Sequence, residues 1–75
     1  MINFTYQAGI LEAGHAETDR EWCWFRGDGF ITWTQGGEPQ GEIPIPEGAS
    51  VTQVKAIIRR HVRGVHQAPA LVHGG

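Results

Sequence analysis

Apolar residues recur along the chain with two different periods, and the switch between them divides it into an early sheet region and a late helix. Ile2, Phe4 and Tyr6 alternate with Asn3, Thr5 and Gln7, the period of a strand with one buried face. Ile10 and Leu11 extend that strand or begin another after Gly9, whereas the polar stretch from Glu12 to Glu21 reads as a loop. The strongest local pattern runs from Glu21 to Thr34, where an aromatic run and a β-branched run flank Arg26-Gly27-Asp28-Gly29. Glycine and aspartate tolerate the positive φ of a tight primed turn, so residues 21–34 are expected to form a hairpin.

Two registers are open for this hairpin. A loop centred on Gly27-Asp28 pairs Trp24 with Ile31, and one centred on Asp28-Gly29 pairs Trp24 with Trp33. Both put Trp22, Trp24, Ile31 and Trp33 on one face, with Cys23, Phe25, Phe30 and Thr32 on the other. Residues 35–41, rich in glycine and charge, read as a loop. Ile43-Pro44-Ile45-Pro46 is compatible only with a short edge strand or an extended segment, because each proline lacks a ladder donor.

The period then changes. Ser50 is a good N-cap with Gln53 three residues on, and Val51, Val54, Ile58, Val62 and Val65 form an apolar stripe widened by Ile57 and His61. Lys55, Arg59 and Arg63 make a ridge at intervals of four, with Arg60 beside it, and Gly64 is the expected stop. The expectation is an α+β fold: a short antiparallel sheet of two to four strands, with the central hairpin at 21–34, packed on one C-terminal helix of about 51–63. Residues 1–66 form one domain and 67–75 a flexible tail.

Length and charge then narrow the function. A chain of 75 residues holds one core and buries roughly 60% of its extended surface, so stability is modest and association helps it. All eight carboxylates precede Ser50, whereas Lys55, Arg59, Arg60 and Arg63 follow it with no acidic side chain. One cysteine, Cys23, excludes an internal disulfide and a four-cysteine zinc site. No apolar run reaches membrane-spanning length, and a reducing, cytoplasmic setting is expected.

Sites of chemistry are sparse. His15, Cys23, His61, His66 and Asp19 are suitable metal ligands without a compact zinc spacing, so no metal and no cofactor is expected. Cys23 with a histidine, or His15 with Glu17 and Asp19, lacks an orienting third group, and the chain is read as no enzyme. Asn3-Phe4-Thr5 matters as a glycosylation acceptor only in a secreted chain, and the Arg26-Gly27-Asp28 tripeptide is explained by its turn.

Strands followed by a helix over residues 2–64 resemble many small α+β modules, among them the DNA-binding arm domains of some phage integrases. The resemblance carries no residue-level motif, and a groove-binding sheet needs basic groups where this one is acidic. The leading expectation is therefore a small accessory or regulatory protein acting through another protein or itself, as in a homodimer, with Trp22, Trp24, Trp33, Arg59 and Arg63 as contacts. The alternative is nucleic-acid binding, with Lys55, Arg59, Arg60 and Arg63 on phosphates; a small enzyme or metal-binding protein is third. No membrane partner is expected.

Overall fold

The structure, a computed structural model, describes the backbone of residues 1–74 and the side chains of residues 1–63. Five strands, β1 (Ile2–Gln7), β2 (Ile10–His15), β3 (Arg20–Phe25), β4 (Phe30–Gln35) and β5 (Glu38–Pro44), precede one helix, α1 (Val51–Gly74). The strands form a single antiparallel sheet in the order β1-β2-β3-β4-β5. This corrects the expected two to four strands.

The extra strand residues come from the two segments read as loops, which continue the possible strands at Ile10-Leu11 and Ile43-Pro44. Leu11, Ala13 and His15 alternate inward along β2, and all three are buried. A small residue and a histidine carry too little apolar signal to mark that period in sequence. The β1–β2 connection is only Ala8-Gly9, with Gln7 paired to Ile10 and φ of 53° and 77°. Both values belong to a primed two-residue turn, although alanine is a poor occupant of that region. Gly36-Gly37, at φ of 60° and 83°, joins β4 to β5 in the same way. Pro39 and Pro44 are accommodated because β5 is an edge strand, where half of the donors face outward.

The central hairpin adopts the first of its two registers, with Trp22 opposite Trp33 and Cys23 opposite Thr32. The inward face therefore holds Trp22, Trp24 and Ile31, which pack with Leu11 and Ala13 against Val54, Ile58 and Val62 of α1. Complete burial of an aliphatic side chain of this size contributes about 1.5–3 kcal/mol, so the row of Val54 and Ile58, both at 0% exposure, fixes the helix on the sheet.

The helix starts as expected: the Ser50 amide donates to Gln53 Oε1 at 2.7 Å and the Gln53 amide to Ser50 Oγ at 3.2 Å, a reciprocal capping box. Its span to Gly74 passes the stop expected at Gly64. An interior glycine costs a helix only about 1 kcal/mol relative to alanine, so it weakens the helix at that point without requiring an end. The expected tail at 67–75 concerns side chains outside the described residues. Among the described residues, no helix is long and apolar enough to cross a membrane.

Candidate protein-interaction surface

One helix covers one side of the sheet, and the strand alternation turns a second set of side chains to the uncovered side. Strand pairing arranges that set in rows. The middle row crosses all five strands as Thr5, Glu12, Cys23, Thr32 and Glu42, each opposite the next. One row along, Asn3 faces Gly14, Gly14 faces Glu21, and Glu21 faces Thr34. All of these but Glu42 line a shallow cleft of about 380 Å³. Towards the other end of the strands, Ile10 is paired with Phe25 and Phe30 with Pro44. Phe25 is 51% and Phe30 37% exposed, so this end of the uncovered side presents two aromatic side chains to solvent.

The uncovered side carries Glu12, Glu21 and Glu42 and no lysine or arginine of the sheet, since Arg20 alternates to the helix side with Trp22. Its thiol responds to that field. Burial first, and then the Glu12 carboxylate opposite it, push the Cys23 thiol above its ordinary value of 9.0. A thiol held protonated at neutral pH is a poor nucleophile. His15 and His61 both lie on the helix side, His15 buried and His61 against Trp22, so the sheet separates them from Cys23. His15 Nε2 does meet Glu17 Oε1 at 3.1 Å, and the same oxygen accepts from the Met1 amine at 2.9 Å. Among the described residues, no group of three or more His, Cys, Asp or Glu side chains is placed to hold a metal ion; the His66 side chain lies outside them.

The residues expected to make contacts are distributed differently from the sequence reading. Trp22 and Trp24 are 1% and 2% exposed, so in the folded chain neither reaches a partner. Their indole N–H groups are used internally, by His61 Nδ1 at 3.0 Å and by the Asp28 carbonyl at 2.9 Å. The second of these bonds, with the Asp28 amide on the Phe25 carbonyl at 2.9 Å, ties down the turn that carries Arg26-Gly27-Asp28. Trp33 is half-buried with its ring 4.8 Å from that of His61. The basic ridge divides. Lys55 and Arg59 lie over the Phe4 ring at 5.4 and 4.9 Å, and Arg60 and Arg63 face solvent.

The row of exposed Phe25 and Phe30 with half-buried Ile10 was not among the expected contacts. The signal for it was present, since the alternation that turns Trp22 and Trp24 inward must turn Cys23 and Phe25 outward. No protein-family model, no curated protein and no solved structure matches the chain.

Proposed function

We propose that the chain is a non-catalytic accessory or regulatory protein that works by protein–protein contact, and that its contact surface is the uncovered side of the sheet. The single observation that carries this reading is the pairing of Ile10 with Phe25 and Phe30 with Pro44 on a side that, among the described residues, no other element covers. Burying apolar area of this kind contributes roughly 25 cal/mol per Å², and aromatic anchors of this type dominate protein interfaces.

The chemistry of the side selects its partner. Glu12, Glu21 and Glu42 around an apolar end favour a surface that is basic and apolar, and disfavour a polyanion such as nucleic acid. The chain itself carries a basic surface on the outward side of α1, where Arg59, Arg60 and Arg63 are exposed and no acidic side chain follows Glu47. Sheet side against helix side is therefore the self-association that the charges support, whereas sheet side against sheet side sets like charges together. Native mass measured over a range of protein and salt concentrations tests this. Association that weakens with salt and on Phe25→Ser/Phe30→Ser supports the reading, and a mass fixed at that of one chain counts against it.

A further inference from the structure

The two edges of the sheet differ. β5 is guarded in the manner of edge strands that avoid pairing: Pro39 and Pro44 lack donors, Glu38 and Glu42 carry charge, and the register shifts between Trp33 and Thr34, leaving Gln40 between the partners of those two residues. β1, the other edge, has the sequence Ile-Asn-Phe-Thr-Tyr-Gln with no proline, no charge and an unbroken six-residue register to β2. Its outer backbone groups are a template for one more strand. On the helix side of this edge, Lys55 and Arg59 rest on the Phe4 ring, and neither is ion-paired among the described residues.

We infer that β1 accepts an extended acidic protein segment by strand addition, its backbone pairing with Ile2–Gln7 and carboxylates at alternate positions reaching Lys55 and Arg59. The spacings agree. Four helical residues separate the cations by a rise of about 6 Å, and side chains two apart on one face of a strand lie about 6.6–6.8 Å apart. A second copy pairing β1 with β1 through a twofold axis brings two sets of Lys55 and Arg59 towards each other, so charge favours a foreign acidic strand over self-pairing at this edge. The edge is distinct from the uncovered sheet side and shares only Arg59 with the basic surface proposed to meet it, so Phe25→Ser/Phe30→Ser, which removes the sheet-side contact, should leave peptide binding at β1 intact.

The test uses the full chain at a concentration where its native mass is that of one chain, titrated with a ten-residue peptide alternating glutamate and valine while the backbone amides are followed by NMR. The expected result is shifts and slowed hydrogen exchange centred on Ile2–Gln7. Affinity should fall about tenfold on Lys55→Gln/Arg59→Gln, the sum of two exposed charge pairs. Methylating one alternate set of peptide amides should abolish binding, and methylating the other set should leave it, because an added strand turns only one set toward the sheet. The inference is overturned if β1 does not respond, if a lysine–valine peptide binds equally, or if both methylated peptides bind. It is also overturned if β1 shifts with protein concentration in the absence of peptide, which assigns the edge to a second copy.

Discussion

The Trp22 indole N–H donates to His61 Nδ1 at 3.0 Å, joining the middle of the sheet to the helix through two aromatic rings held edge to face. The bond requires an imidazole that is unprotonated at Nδ1. Burial first, and then the nearby Arg20 guanidinium, hold the His61 pKa below its ordinary 6.5. The folded state thus binds a proton less readily than the unfolded chain. The contribution of His61 to stability is complete above pH 6.5 and is lost as pH falls through the lowered folded pKa.

Melting temperature measured between pH 8 and pH 4.5 should therefore drop on the acid side of about 6.5, over and above the loss contributed by carboxylates. His61→Phe leaves the buried Trp22 donor unsatisfied, which costs about 1–3 kcal/mol at neutral pH, and removes the imidazole part of the acid-side loss. Arg20→Met raises the folded His61 pKa towards 6.5 and shrinks that loss. A pH profile identical in the His61→Phe chain contradicts this assignment.

The β1–β2 turn should be improvable. Ala8 sits at φ 53°, where a side chain costs roughly 1–2 kcal/mol relative to its usual conformations. Ala8→Gly removes that strain and adds unfolded-state entropy, for a net gain of about 0.5–1 kcal/mol. Gly9→Ala, at φ 77°, should lose about 1 kcal/mol or more. Denaturant midpoints of the two variants on opposite sides of the parent check the turn. Equal midpoints contradict it.

The same turn explains what could be read from the sequence. Ser50 with Gln53 announced the helix, and the apolar spacing of Val54, Ile58 and Val62 identified its buried stripe, because capping chemistry and a period of 3.6 are both local. The inward set of the central hairpin was likewise legible from alternation alone. β2 was legible only at Ile10-Leu11, as one of two readings, since Ala8-Gly9 lacks the asparagine or aspartate that usually marks such a turn, and Ala13 and His15 are buried without being strongly apolar. β5 was legible only at its Ile43-Pro44 end; the rest was hidden by Pro39 and Gly41, which only an edge strand tolerates, and an edge is a property of the whole sheet. The interaction surface was half legible: alternation places Phe25 outward, but whether anything covers it depends on how many helices the chain supplies.

Cys23 reports on the uncovered side directly. Its thiol should alkylate slowly at pH 7.5, with the rate rising through a midpoint above 9.0. Glu12→Gln takes away the facing negative charge and should move that midpoint down towards 9.0. Iodoacetamide labelling followed by intact mass over pH 6.5–10.5 gives both numbers. A midpoint below 9.0 in the parent chain contradicts the placement of the thiol.

The central claim, that the uncovered sheet side is a protein contact with a basic complement on the helix, is tested most directly by native mass. Sedimentation equilibrium of the full chain over a range from micromolar to millimolar, at low and high salt, should give values that climb above 8.3 kDa at low salt. Screening by salt should reduce the climb, and Phe25→Ser/Phe30→Ser should abolish it. A mass of 8.3 kDa at every concentration and salt contradicts the account.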